Sequence, residues 1–133
     1  MKRLFIGVVV ANFAIYVIWF SMPYLYNHIY EKDTLDALSW SRFGAVLPRI
    51  DFLPFGFLLA FGLTSIGLVF LKKWARTGFL ILTVFSLLYL SGAGINVQTG
   101  FDSFLDYFVS LTDGVILTMA FFTGLSREFE SAA

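Results

Sequence analysis

Two long uncharged runs meet at a plug of three cations. Residues 52–71 carry no charge and residues 77–95 carry none, and between them stands Lys72-Lys73-Trp74-Ala75-Arg76. A helix needs about 20 residues, at about 1.5 Å each, to cross a hydrocarbon core about 30 Å thick. Each run meets that length. A connection this short between two such runs predicts a tight antiparallel hairpin. Lys and Arg beside span ends favour the cytoplasmic side, and an indole sits well among headgroups. Lys72, Lys73, Trp74 and Arg76 therefore set the expected topology: this hairpin lies inside, and the other loops follow by alternation.

Composition agrees with an apolar solvent. Of the 133 residues, 59% are hydrophobic and 14% are charged. An ordinary soluble domain is about 45–50% apolar and about 25% charged. A water-soluble fold of this size could not hide so much apolar surface. Formal net charge is zero, so there is no global basic field for nucleic acid. The chain has no cysteine and one histidine, His28. That excludes disulfides and thiolate chemistry, and it leaves one chain without a His-based metal site or bis-His haem ligation. No cofactor and no metal is expected.

Taken in order, Met1-Lys2-Arg3 is a short positive start to an apolar run over 4–26. The run is too long for the core of a signal peptide, and no Ala-x-Ala site follows it. It reads as a retained first span with its N-terminus inside, closing on Pro23 and the interface tyrosines Tyr24 and Tyr26. Gly7, Ala11 and Ala14 share a helical face on which small residues allow close helix contact. Asn12 is the one amide in this span, a donor for an interhelical hydrogen bond.

Residues 27–51 form the one long polar segment, with more acids than bases. Asp33 is expected to cap a short amphipathic helix that begins at Thr34, lies at the outer headgroup level and stops at Pro48. A second span over 52–71 follows, with Asp51 as its expected N-cap. In it Gly56, Ala60, Thr64 and Gly67 recur at helical spacing as a small-residue packing face. A third span covers 77–95, and a short polar outer turn leads to a fourth over 103–125.

That fourth span contains Asp106 and Asp113. Asp106 lies near the outer end. Asp113 is about a dozen residues from the inner end, roughly 18 Å away, and so falls close to the bilayer centre. Central placement of an acid costs roughly 2.5–3.5 kcal/mol on insertion scales, and such groups face the protein interior. Ser103, Asp106, Ser110 and Asp113 share one face, with Gly114 and Thr118 beside it. Two roles stay open for Asp113: a hydrogen-bonded strut that fixes helix register, or a proton or cation point facing an outward cleft. Candidate donors to it include Asn12, Thr64, Thr83 and Ser86.

The stretch Leu71-Lys72-Lys73-Trp74-Ala75-Arg76 between two spans, with Asp113-Gly114-Val115-Ile116-Leu117 in the last, resembles small bacterial four-span inner-membrane proteins of unknown function. The resemblance covers the whole length in layout, and these two stretches in residues. It implies a bacterial cytoplasmic membrane location and no particular activity. Small multidrug transporters are similar in size, but they carry their essential acid in the first span, and this first span has none.

The expected fold is an all-α membrane protein: four transmembrane helices in an antiparallel bundle, both termini cytoplasmic, with a short amphipathic helix in the first outer loop. No nucleophile–base set, metal cluster or phosphate loop is visible, which weighs against an enzyme. Two functions remain. One is a non-enzymatic accessory or interaction subunit that binds a membrane partner or its own copies. The other is a small oligomeric proton-coupled transporter or channel using the Asp106–Ser110–Asp113 face.

Overall fold

A computed structural model describes residues 1–131. The described residues form six helices and no strand: α1 Lys2–Ile29, α2 Lys32–Leu38, α3 Leu53–Val69, α4 Lys73–Ser91, α5 Gly100–Phe122 and α6 Leu125–Ser131. Three of them, α1, α4 and α5, are long and apolar enough to cross a membrane, and α3 is a shorter apolar helix of 17 residues. Large apolar side chains such as Leu59, Leu63, Ile66, Leu87 and Leu88 stand exposed around the helices. A surface of that kind is stable in lipid and a liability in water.

The registers between helices follow from residue contacts. Asn12 meets Asp113 and Tyr26 meets Asp102, so α1 and α5 run antiparallel, and Phe5 at the start of α1 meets Phe129 of α6. Tyr16 on Phe61 and Phe20 on Phe55 set α1 antiparallel to α3. Phe61 on Phe79 and Phe57 on Phe85 do the same for α3 and α4. The core is a column of Phe5, Val9, Tyr16, Phe61, Leu68, Phe79 and Ile116, closed at one end by Leu125 and Phe129.

The α3–α4 hairpin is tighter than charge pattern alone conveys. Helix α3 ends in a Schellman motif. The Lys72 N–H donates to the Gly67 carbonyl (2.8 Å) and the Leu71 N–H to the Leu68 carbonyl (3.0 Å). Such a motif puts its turning residue in the left-handed region, where glycine is favoured. Here that residue is Leu71, at φ 54°. Burial of its side chain, 4% exposed, offsets a conformational cost of order 1–2 kcal/mol. At Gly67 the two helices touch: a Cβ there would lie 2.5 Å from Ala75 Cβ and 2.8 Å from the Trp74 ring. Gly78 sits over Thr64 in the same contact.

Several boundaries differ from the sequence expectation. Helix α1 does not close at the interface tyrosines but continues through Pro23 to Ile29. The short helix expected in the first loop spans Lys32–Leu38, is preceded by Glu31 rather than capped by Asp33, and buries none of its residues. It stops short of Pro48 because the chain finds other partners. The Arg42 N–H donates to the Ile95 carbonyl (2.7 Å) and the Ile95 N–H to the Phe43 carbonyl (2.9 Å). The Val46 and Leu47 N–H groups both donate to the Gly92 carbonyl. This strap needs Gly94 at φ +81°, where a Cβ would lie 2.6 Å from both the Phe43 oxygen and the Ala45 nitrogen. Asp51 does not cap α3. Phe52 holds the N-cap position, and Asp51 instead pairs with Arg49 (2.9 Å) on the exposed surface. The chain after α5 turns at Thr123–Gly124 and forms α6, with Leu125 and Phe129 buried against the rest.

Candidate functional site

The buried polar groups that bond from one helix to another fall at three levels of the molecule. The middle level joins α1 to α5. Asn12 Nδ2 donates to Asp113 Oδ1 at 2.8 Å and to Thr112 Oγ1 at 2.6 Å, and it lies 3.3 Å from the Val109 carbonyl. An amide nitrogen has two protons for these three acceptors, so the group is fully engaged. Asp113 is 8% exposed and Asn12 is buried. Tyr16, one turn along α1 from Asn12, is buried beside this site. The periodicity of α1 explains the arrangement: Phe5, Val9, Asn12 and Tyr16 recur at three- and four-residue spacing, and all are buried.

The other expected members of the acid-and-hydroxyl face lie elsewhere. Asp106 is half-buried nearer the start of α5, and Ser110 is exposed. Ser110 lines an open groove of about 400 Å³ together with Leu111, Gly114, Val115, Thr118 and Met119. Asp113 is not in that lining. A 60° difference between i and i+3 on a helix is enough to separate the two, one turned to α1 and the other outward. The candidate donors Thr64, Thr83 and Ser86 bond to carbonyls of their own helices instead.

The level where α1 ends and α5 begins centres on Asp102, which the sequence reading did not single out. It is 2% exposed. Its Oδ2 accepts from the Tyr26 hydroxyl at 2.6 Å and from Thr99 Oγ1 at 2.8 Å, while Oδ1 is buried without a partner. The Tyr30 hydroxyl donates to Thr99 Oγ1 (3.1 Å). Thr99 is also the N-cap of α5, accepting from the Asp102 N–H. The Thr99-x-x-Asp102 spacing was the available signal, a capping pattern three residues apart.

The opposite level, at the α3–α4 hairpin, holds Arg76, 9% exposed. Its guanidinium lies over the Phe121 ring at 4.7 Å and the Phe129 ring at 5.6 Å, and Nη1 donates to the Ala120 carbonyl at 3.4 Å. Lys72, Lys73 and Trp74 are exposed around it. The basic plug thus divides, with Arg76 turned inward and its neighbours outward.

The small positions divide as well. Thr64 and Gly67 lie in the α3–α4 contact and Ala60 is half-buried, whereas Gly56 and Gly114 have open space where a Cβ would stand. Gly7, Ala11 and Ala14 face outward, because α1 uses its large residues against α5 and α3. Among the described residues, no group of three or more His, Cys, Asp or Glu side chains gathers as a metal would require. No protein-family model, curated protein or solved structure matches the chain.

Proposed function

We propose that this chain is a multi-pass protein of a bacterial cytoplasmic membrane, a four-helix bundle with both termini inside. In this reading it serves as a non-enzymatic interaction subunit for another membrane protein. Support for the layout comes from charge. Lys2, Arg3, Lys72, Lys73, Arg76 and Arg127 gather at the end where Phe5 meets Phe129. Lys32, Arg42 and Arg49 belong to the opposite end, so the excess obeys the positive-inside bias. Helix α3, with 17 residues, is at the lower limit for a span.

The observation that carries the interaction role is the separation of Asp113 from the outward groove. The mid-membrane acid is tied to Asn12 inside the bundle, and the outward face of α5 offers Ser110, Gly114 and Thr118 at four-residue spacing. Small residues so spaced let a neighbouring transmembrane helix approach closely. The same separation removes the support for transport along an Asp106–Ser110–Asp113 face. The occupant proposed for the groove is one transmembrane helix of a different protein.

The test is a photo-crosslinking residue at Val115 in native membranes, with Leu59 on α3 as the control position. The expected result is one adduct from position 115, none from 59, and its loss when Gly114→Leu fills the groove. An adduct of twice the chain's mass would make the occupant a second copy. Insensitivity to Gly114→Leu, or proton-coupled flux in liposomes holding this chain alone, would overturn the proposal. Labelling of single cysteines at Asp36 and Lys73 from opposite sides checks the layout independently.

A further inference from the structure

We propose that the inner end of the molecule binds the phosphate of an anionic lipid headgroup at Arg76, where the start of α4 meets Phe129 of α6. The inference rests on the membrane reading of the chain and not on its interaction role.

A guanidinium has five N–H donors and is always charged. Among the described residues, Arg76 uses one hydrogen bond, the 3.4 Å contact to the Ala120 carbonyl, and its Nε is buried with no partner at all. It has no carboxylate. The one ion pair among the described residues joins Arg49 to Asp51 at the other end, and the nearby acids Glu128 and Glu130 are exposed and unpaired with it. The faces of Phe121 and Phe129 stabilise the cation but accept no N–H in the plane of the fork. Buried charges are ordinarily paired and hydrogen-bonded. This one has no counter-charge and a single long hydrogen bond, and an anion of matching geometry completes it. Phosphate oxygens fit the fork two at a time.

The surroundings favour the same ligand. Helix α4 begins with Lys72 at its N-cap and Lys73 next, with no acid in the first turn and no side-chain cap. The positive end of the helix dipole therefore adds to three cations instead of being opposed by an acid. Side chains on a helix lean toward its N-terminus, and the Arg76 guanidinium lies against Ala120 and Phe121 at the end of α5 and Phe129 of α6. A free inorganic anion would be served by the charges alone. The apolar flank selects a lipid: Phe70 and Trp74, on either side of Lys72 and Lys73 in the chain, and Phe122, next to Phe121, are 67%, 57% and 85% exposed. They offer a wall for acyl chains next to a seat for the headgroup. Basic pockets between helices on the cytoplasmic side are suited to such headgroups.

The full chain, purified in a neutral detergent, is titrated with phosphatidylglycerol, phosphatidylcholine or inorganic phosphate and read by native mass spectrometry. One phosphatidylglycerol should bind about tenfold more tightly than phosphatidylcholine, and Arg76→Gln should remove about that factor. Millimolar inorganic phosphate should not displace the lipid. Lys72→Gln with Lys73→Gln, both exposed and remote from the core, should weaken binding a few-fold and reduce its salt dependence, with melting unchanged. Arg49→Gln should change nothing. Equal binding of the two lipids overturns the proposal, as does full displacement by phosphate. If Arg76→Gln does not fold, the double lysine variant decides: wild-type affinity in it refutes the site.

Discussion

Removing the amide of Asn12 should loosen the α1–α5 contact by a calculable amount. Asn12 Nδ2 makes the one side-chain hydrogen bond that Asp113 receives among the described residues. Thr112, by contrast, keeps its own bonds to the Phe108 and Val109 carbonyls when Asn12 is lost. The cost of Asn12→Leu therefore falls on Asp113. A buried polar group left unsatisfied costs about 1–3 kcal/mol in general, and interhelical pairs inside membranes average about 0.6 kcal/mol with a maximum near 2. The expected loss is about 1–2 kcal/mol. Asp113→Asn keeps an acceptor at the same place and should cost less than about 0.5 kcal/mol. Asp113→Leu together with Asn12→Leu removes both partners, and apolar replacement of a buried polar pair is often near neutral. The double variant should thus be more stable than Asn12→Leu alone, with a coupling of about 0.6–2 kcal/mol. Reversible unfolding in mixed micelles, followed by helical circular dichroism, measures all four corners of the cycle. Additive costs within about 0.3 kcal/mol would refute the clamp.

Three further outcomes follow from the packing. Gly67→Leu forces side-chain atoms into Ala75 and Trp74 and should destabilise the hairpin by about 1–3 kcal/mol, while Gly56→Ala, in open space, should stay within about 0.5 kcal/mol in the same unfolding assay. Tyr26→Phe removes a donor from Asp102, whose other oxygen is already unpartnered, and should cost about 1–3 kcal/mol, with faster hydrogen exchange at the start of α5 as the local readout. Gly94→Ala imposes a Cβ on a left-handed residue and on the backbone of Phe43 and Ala45. Limited proteolysis should then cut the 39–46 strap several-fold faster, with the helical signal retained.

The sequence by itself determined the apolar surface and the long helices. Uncharged runs of spanning length have one stable backbone form in oil, because every N–H and C=O must be satisfied within the segment. The α3–α4 hairpin, the apolar lengths of α1, α4 and α5, and the place of Asn12 and Asp113 partway along their helices were legible for that reason. Their hydrogen bond joins residues 101 positions apart, and periodicity does not rank one donor over another: Thr64, Thr83 and Ser86 were equally eligible until their own helix carbonyls claimed them. Only the tertiary structure decided which faces meet. It turned Asp113 inward and Ser110 outward from one helix, buried Asp102 beneath two tyrosines, and drew Arg76 out of the basic plug onto two phenylalanine rings. Local sequence fixes what a residue is and roughly how deep it lies. Its partner depends on how whole helices rotate against each other, and that rotation is set by the sum of contacts along their length.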